Sequence, residues 1–294
     1  KIHEEYGGVV PELASRAHQQ NIVPVVTQAL KKANITKEQL NAIAFTRGPG
    51  LMGSLLVGTS FAKSLAYGLN IPLIDVNHMQ GHILAHFIDE DGYNKPPFPF
   101  LAMTISGGHT QIVKVASYFN MEVIGETIDD AVGEAFDKVA KFHGFGYPGG
   151  VIIDKLAQNG NPKAANFPIP LINKGEKGEH RYDVSYSGLK TAAINQLDQF
   201  WNPEFEKTPE NIAASFQETA VKILLSRLFK AVEDTGLKTI VAGGGVAANS
   251  RLRSMLAEHP EINCIFPPLK LCTDNGAMIA GVAYHFLNRG ETSP

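Results

Sequence analysis

Cysteine is scarce in this sequence, with only Cys264 and Cys272 among 294 residues. Two thiols cannot build the disulfide framework of a small secreted domain, so we interpret them as buried free thiols in a reducing compartment. Clean hydrophobic runs are also absent: the most apolar stretch, 55–69, is interrupted by Lys63 and by glycines. A membrane helix needs roughly 20 consecutive apolar residues, so we expect a cytoplasmic protein that does not enter a membrane.

A strong charge of either sign is lacking as well, since the formal net charge is -3. The chain therefore has no global positive field to attract nucleic acid, and an RNA partner would have to meet a local basic patch. The Walker pattern GxxxxGK[ST] does not occur, which excludes a P-loop nucleotide site. The first residues, KIHEEYGG, lack the apolar core of a secretory signal. They also lack a Met and a preceding strand, so we expect an upstream segment to be missing from the numbered chain.

Strands and helices alternate along the first part of the sequence. Apolar strands at 42–46 and 73–77 are followed by helices at 51–68 and 78–88, after a first helix at 11–34. This order predicts a mainly parallel sheet with helices on its faces. The turn-rich segment DEDGYNKPPFP (89–99) is the best linker, and the hairpin around SGGHT (106–110) opens a second unit. Further predictions are a helix at 129–143 after the hairpin, a loop at 144–150, no assigned structure at 162–187, and a helix at 209–235.

The motif HMQGH places His78 and His82 four residues apart on one face of a helix that directly follows a strand. Such a pair can bind one metal ion, although two ordinary surface histidines are the plain alternative, as His86 in the same helix suggests. A zinc protease would need Glu beside one of the histidines to act as its base. Met79 and Gly81 stand there instead, so a protease mechanism lacks its base.

A carboxylate near the end of the chain could complete the metal site. Asp274 lies in CTDNGAM (272–278), at the start of a predicted helix. Aspartate is a common N-cap residue, so capping that helix explains Asp274 as well as a metal does. The sequence leaves both explanations open.

Two glycine-rich turns could bind an anion. In SGGHT, glycines permit a close approach of backbone N–H groups to a phosphate or carboxylate. AGGGVAANSRLR (242–253) has the strand, glycine loop and helix order that aims helix-terminal N–H groups at a ligand. It also fits a dinucleotide pattern, but the next strand ends in Pro267 and Pro268 rather than in an acidic residue. The sequence therefore favours a nucleotide site of another kind.

The run DDAVGEAFDK (129–138) mixes charged residues with small ones on one helix. A solvated charged face is its ordinary meaning, whereas the small residues would let the helix approach a ligand closely. The loop GYPGG (146–150) follows, and Asp154 lies one helical turn beyond it.

Taken together and in order, these motifs resemble the TsaD family of tRNA adenosine threonylcarbamoyltransferases, once described as O-sialoglycoprotein endopeptidases. The resemblance runs from about residue 3 to residue 290, and its segments include GGVVPELASRAH, RGPGLMGSLLVG, NHMQGH, SGGHTQ, DDAVGEAFDK, GYPGG, SYSGLKT, AGGGVAAN and CTDNGAMIA. It implies an actin-like ATPase (ASKHA) α/β fold of two lobes with a ligand cleft between them. We expect a first lobe of 1–96 plus 275–294 and a second lobe of 97–274.

The resemblance also implies the site residues and the reaction. The reaction moves a threonylcarbamoyl group from threonylcarbamoyl-AMP to the exocyclic amine of the adenosine next to the anticodon, in tRNAs that read A-starting codons. One divalent ion, iron or zinc, is implied, with bound ATP or AMP as related ligands. By matching position, the metal ligands are His78, His82 and Asp274, and the substrate-binding residues are Thr104, Ile105, Ser106, Gly107, Gly108, Asp137, Gly150, Asp154 and Asn249. His109 lies in the same site loop and is a candidate to accept the proton or to orient the substrate.

The implied partners are tRNA, a shorter paralogue of the same fold and a small ATPase. The family begins with a strand hairpin that carries a phosphate-facing loop and an acidic residue, and the numbered chain starts after it. Three alternatives stay open: a metallopeptidase, a non-catalytic scaffold of the same complex, and a sugar or acetate kinase of the same fold class.

Overall fold

The computed structural model describes residues 10–88, 95–170 and 180–293. Its contacts divide the chain into two units, each with its own sheet and helices. The first unit consists of Lys1–Asp91 and Asn275–Pro294, and the second of Gly92–Asp274. The predicted linker at 89–99 lies partly outside the described residues.

The first unit is built on two parallel strands. β1 (Ile43–Gly48) and β2 (Leu73–Asn77) are parallel, as the alternating strand and helix order predicted, and Ile43 lies opposite Leu73. The predicted helix at 78–88 is shorter, because its α-helical part ends at Leu84 and a 3-10 turn, Ala85–Phe87, follows. The elements are α1 (Pro11–Ala33), a 3-10 turn (Lys37–Gln39), β1 (Ile43–Gly48), α2 (Met52–Leu69), β2 (Leu73–Asn77) and α3 (His78–Leu84).

Local sequence explains the limits of the first helix. α1 begins at Pro11, whose missing N–H group is not needed in the first turn. It ends at Asn34, which adopts the left-handed conformation with φ of 55°. The next turn carries a capping box in which the Thr36 N–H donates to Gln39 Oε1 at 2.8 Å.

The second unit contains a five-stranded sheet whose strands lie in the order β5 (Asn120–Glu126), β4 (Thr110–Ser117), β3 (Phe100–Ile105), β6 (Thr239–Gly243) and β7 (Asn263–Ile265). β3, β4 and β5 form an antiparallel meander, whereas β3, β6 and β7 are parallel to one another. The elements are β3 (Phe100–Ile105), β4 (Thr110–Ser117), β5 (Asn120–Glu126), α4 (Val132–Phe142), α5 (Gly149–Ala157), α6 (Ser187–Asn195), α7 (Leu197–Phe200), α8 (Pro209–Thr235), β6 (Thr239–Gly243), α9 (Ser250–Ala257), β7 (Asn263–Ile265) and α10 (Leu269–Cys272).

The long helix α8 passes through the core of the second unit. Its N-cap is Thr208, whose hydroxyl accepts a hydrogen bond from the Asn211 N–H, and it ends at the left-handed Gly236. Phe216 in this helix packs edge-to-face on Phe136 of α4 at 5.1 Å between ring centroids. α4, α5 and the sheet therefore pack around one core. This packing fixes the positions of the loops at the ends of β3 and β6.

Three features of the second unit differ from the expectations. β5 was not predicted, although it pairs along the whole of β4. α5 begins at Gly149, inside the predicted loop at 144–150, and α4 begins at Val132 rather than at 129. Of the stretch 162–187, left without assigned structure, residues 171–179 lie outside the described chain; Val184 forms a bridge with Thr127, and α6 begins at Ser187.

The last helix, α11 (Gly276–Asn288), belongs to the first unit and packs against α3. Gly81 permits the approach, since a Cβ there would lie 3.1 Å from Ile279 Cδ1. Among the described residues, no helix combines the length and apolar character that crossing a membrane requires. The mixed α/β fold class predicted from the sequence is confirmed.

Candidate functional site

The two histidines of α3 lie on one face of the helix, beside each other. Their Nε2 atoms are 3.1 Å apart and their ring centroids 4.9 Å apart. His82 is only 1% exposed, whereas His78 is half-buried. The start of the helix is fixed by Asn77, whose side-chain oxygen accepts hydrogen bonds from the N–H groups of Met79 (2.9 Å) and Gln80 (3.2 Å). The strand β2 and this cap thus orient the pair.

Asp274 lies next to these histidines. One ligand atom each from His78, His82 and Asp274 falls within 4.8 Å of the others. Asp274 is exposed, and it is bonded to Asn275, the residue that begins α11 in the first unit. The N-cap role that the sequence left open for Asp274 belongs to Asn275, whose side-chain oxygen accepts from the Met278 N–H at 2.9 Å. Helix capping therefore does not account for Asp274.

This donor set suits a transition-metal ion. Two imidazole nitrogens bound to tetrahedral zinc at about 2.0–2.1 Å lie roughly 3.3 Å apart, close to the 3.1 Å between the two Nε2 atoms. Two histidines and one carboxylate also form the donor set of non-haem iron sites, which leave coordination positions open. His86 is fully buried in the 3-10 turn after α3 and does not belong to the group of donors found in the described chain.

The β3–β4 hairpin contains the proposed substrate-binding turn. Its turn is closed by the Ser106 N–H, which donates to the His109 carbonyl at 2.8 Å, and by the His109 N–H, which donates to Ser106 Oγ at 3.1 Å. Gly107 and Gly108 are exposed, and a Cβ on either would meet no atom of the described chain within 4 Å. Packing therefore does not require glycine at these two positions, and the space on the Cβ side of both residues is open to a ligand.

The two strand residues before this turn are buried. Thr104 pairs with Gln111 across the hairpin and with Gly243 of β6, and Ile105 pairs with Thr110. The Thr104 hydroxyl oxygen is buried and has no hydrogen-bond partner in the described chain. An unmatched buried hydroxyl is uncommon and calls for an explanation, which a nearby ligand or water would provide.

Two other segments of the second unit close tightly around the hairpin turn. At Gly133, near the start of α4, a Cβ would lie 2.6 Å from the Ser106 carbonyl oxygen and 2.7 Å from Gly107 Cα. Gly244, in the loop after β6, has φ of 90°, and a Cβ there would collide with the Ile105 carbonyl. The small residue Gly133, which the sequence suggested as a point of ligand approach, thus lets α4 approach the hairpin.

The charged residues of α4 are ion-paired or face α5. Lys138 contacts Asp130 at 3.1 Å and Glu134 at 2.7 Å. Asp137 is half-buried and accepts a hydrogen bond from the Gly149 N–H at 2.7 Å. Burial raises the pKa of Asp137, with nearby Glu134 adding to it, while the backbone N–H groups of Gly149 and Gly150 oppose the rise. Asp137 and Gly150 therefore meet at the N-terminus of α5.

Asp154 and Asn249 meet at the start of α9. Asp154, in α5, accepts hydrogen bonds from the N–H (3.2 Å) and the hydroxyl (2.7 Å) of Ser250. Asn249 is the N-cap of α9, since its side-chain oxygen accepts from the Leu252 N–H at 3.0 Å. The strand, glycine loop and helix order predicted at 242–253 is confirmed, with a 3-10 turn, Gly245–Ala248, in the loop.

Sequence reasoning missed a residue that organises the loop before α6. Asp129 accepts hydrogen bonds from the N–H groups of Tyr186 (2.8 Å) and Ser187 (3.2 Å) and from the hydroxyls of Ser185 and Ser187. Burial by itself would raise the pKa of Asp129, but these hydrogen bonds outweigh it and lower that pKa below its ordinary value. The motif SYSGLKT was the available signal, and its role was not assigned.

The sequence comparisons with known proteins agree on one family. Residues 1–281 match the family described as TsaD, tRNA N6-adenosine threonylcarbamoyltransferase. The protein of that name from Treponema denticola is 63% identical over 293 residues, covering 100% of this chain and 85% of the relative. The one from Christiangramia forsetii is 61% identical over 291 residues, covering 97% of this chain and 84% of the relative.

Two solved structures of HypF have a similar fold. HypF of T. kodakarensis gives a TM-score of 0.60 at 15% identity, and full-length HypF in its phosphate- and nucleotide-bound form gives 0.63 at 15% identity. This chain is covered to 85% and 92%, but it spans only 41% and 50% of those proteins. At such low identity the likeness concerns the fold alone.

Proposed function

Because the chain belongs to the family of tRNA N6-adenosine threonylcarbamoyltransferases, we propose that it transfers the threonylcarbamoyl group of threonylcarbamoyl-AMP to tRNA. The acceptor is the exocyclic amine of the adenosine next to the anticodon, in tRNAs that read A-starting codons. The observation that carries the proposal is the site itself: two histidines and a carboxylate within 4.8 Å of one another, in a chain that matches this family over residues 1–281.

The proposed metal ligands are His78, His82 and Asp274, and the proposed ion is iron or zinc. The 3.1 Å between the two Nε2 atoms and the position of an Asp274 oxygen within 4.8 Å of both histidine ligand atoms support this assignment. A divalent cation held by these residues would supply Lewis acidity, which would stabilise negative charge on acyl or phosphate oxygens. The chain contributes the orientation of both imidazoles, through the Asn77 cap of α3.

The proposed adenylate site is in the second unit. We assign the hairpin residues Thr104, Ile105, Ser106, Gly107 and Gly108 to the substrate, because the turn is exposed and has open space beside its two glycines for a ligand. The ribose and adenine would be held by the residues that converge around the starts of α5 and α9, namely Asp137, Gly150, Asp154 and Asn249.

The transfer step needs an oriented amine and a proton acceptor. The adenosine nitrogen forms a bond to the carbonyl carbon of the threonylcarbamoyl group, the bond from that carbon to the phosphate oxygen breaks, and AMP leaves with the electron pair. The proton lost by the amine is assigned to His109, which lies in the hairpin turn beside the open glycines. The role of the chain is otherwise to position the two substrates.

The proposed partners follow from the same assignment. They are tRNA as the substrate, a shorter paralogue of the same fold and a small ATPase as accessory subunits, in the cytoplasm. Because the net charge is only -3, tRNA binding depends on local basic groups or on the accessory subunits rather than on a global field.

The metal assignment is tested with single alanine variants of His78 and His82. We expect each to lose most of its bound iron or zinc, measured by inductively coupled plasma mass spectrometry, and to lose tRNA modification in an assay with accessory subunits. His18→Ala is the matched control, since this exposed histidine of α1 lies outside the donor group. Unchanged metal content and activity in both site variants would refute the proposal.

A further inference from the structure

Three consecutive residues at the start of α9 each reach a neighbouring helix with their side chains. Asn249 Nδ2 donates to Gln217 Oε1 of α8 at 2.7 Å. Ser250 Oγ donates to Asp154 of α5 at 2.7 Å, and Arg251 donates to Glu218 of α8 at 2.6 and 3.2 Å. The first turn of α9 is therefore held in a single register against two other helices.

The hydrogen bonds of Asn249 determine which way its amide points. The Leu252 N–H can only donate, so the oxygen of the Asn249 side chain must face it. The Asn249 nitrogen then faces Gln217, which has to present its own oxygen. The orientations of both amides thus follow from one backbone N–H group, and this assignment does not depend on telling nitrogen from oxygen by position alone.

We propose that Gln217 is a positioning residue that fixes the amide of Asn249 for the nucleoside part of the ligand. This inference rests on the proposed function, in which Asn249 contacts the adenylate. After Leu252 and Gln217 are satisfied, the Asn249 nitrogen still has one hydrogen to donate. The direction of that hydrogen is set by the bond to Gln217, so the ligand meets a donor in a predetermined place.

Burial makes this role specific to Gln217. Gln217 and Asn249 are only 4% and 7% exposed, so water has little access to replace a lost partner. Without the Gln217 oxygen, Leu252 alone would hold the Asn249 amide, which could then swing about its terminal torsion. Glu218, the next residue of α8, also links to α9, but through Arg251, so its loss leaves the Asn249 amide in place.

The test compares two substitutions of Gln217 by calorimetric titration of the full chain with AMP. Gln217→Met keeps about the size of the side chain and removes the acceptor, so we expect AMP to bind about tenfold more weakly, with a smaller fall in melting temperature than a buried charge would cause. Gln217→Glu keeps an acceptor but buries a charge, so we expect a lower melting temperature with AMP affinity closer to that of the wild type. Glu218→Ala is the matched control, with reduced stability and unchanged AMP affinity.

Comparing the order of the variants in AMP affinity with their order in melting temperature distinguishes a positioning role of Gln217 from a purely structural one. If AMP affinity falls in the same order as melting temperature, Gln217 is structural and the positioning role is wrong. If the wild type binds AMP and Gln217→Met binds it equally well, the positioning role also fails while the proposed function stands. If the wild type itself binds no AMP, the nucleotide assignment of the proposed function fails, and this inference fails with it.

Discussion

Replacing Gly133 by alanine should weaken the second unit, although alanine is the better helix former. A Cβ at this position would lie 2.6 Å from the Ser106 carbonyl oxygen, 2.7 Å from Gly107 Cα and 2.9 Å from the Gly107 nitrogen. All three are backbone atoms of the hairpin turn, so no side chain can rotate out of the way. Either α4 or the turn has to move.

The size of the effect follows from two opposing contributions. Overpacking against a fixed neighbour costs about 3 kcal/mol at the upper end of its usual range. The change from glycine to alanine returns at most about 1 kcal/mol, the value for a helix interior, since Gly133 is only the second residue of α4. The remaining loss of about 2 kcal/mol corresponds to a melting temperature lower by roughly 4–8 °C for a unit of this size. Substrate binding should fall as well, because the turn is displaced.

Two glycine-to-alanine controls, measured by calorimetric melting, separate the steric clash at Gly133 from the general effect of adding a methyl group. Gly58→Ala lies inside α2, where a Cβ meets no described atom within 4 Å, so its melting temperature should be unchanged or slightly higher. Gly108→Ala has equal space in the turn, so it should melt normally. A Gly133→Ala protein that melts at or above the wild-type temperature would show that α4 does not press on the hairpin as described.

Two further predictions concern a helix cap and a carboxylate. Asn275→Ala should cost about 1 kcal/mol of stability and lower metal affinity, because it removes the cap that fixes the start of α11 beside Asp274. Urea unfolding measures the stability, and titration with metal measures the affinity. An unchanged metal affinity would show that the cap does not position Asp274. The lowered pKa of Asp129 means that its hydrogen bonds stabilise the fold above pH about 4 and that this stability is lost as the pH falls through the lowered value. Asp129→Asn should therefore unfold at lower urea concentration at pH 7 and lose less stability on acidification; an unaltered pH dependence would argue against the assignment.

Elements with local signals could be predicted from the sequence. α8 has Thr208 and Pro209 at its start and Gly236 at its end, and β2 is a short apolar run between turn residues, so the limits of both agree with the expectation. β5 has no such signal. Its sequence, NMEVIGE, is half polar, and it is a strand because it pairs with β4, which is a tertiary contact.

The candidate site could be predicted only where the spacing of residues in the sequence determines their relative positions in the structure. Histidines four residues apart must share a helix face, so the pair in α3 was expected. The neighbouring Asp274 and Asn275 are both good caps, and only the coordinates show which one accepts the Met278 N–H. The role of Gln217 could not be predicted, because nothing in the sequence of this 27-residue helix indicates that Gln217 contacts Asn249, which lies 32 positions further along the chain.

The adjacent residues Asp274 and Asn275, at the start of α11, have different roles. This difference affects how the family could diversify. Asn275 completes the helix, whereas Asp274 is exposed and faces the histidines. Exchange of Asp274 in a descendant gene would leave the Asn275 cap of the following helix in place. Exchange of the proposed ligand Asp274 would remove chemistry and keep the cap, whereas exchange of Asn275 would disturb both the helix and the ligand beside it. A duplicated copy that changed only Asp274 could therefore give up catalysis and keep this helix.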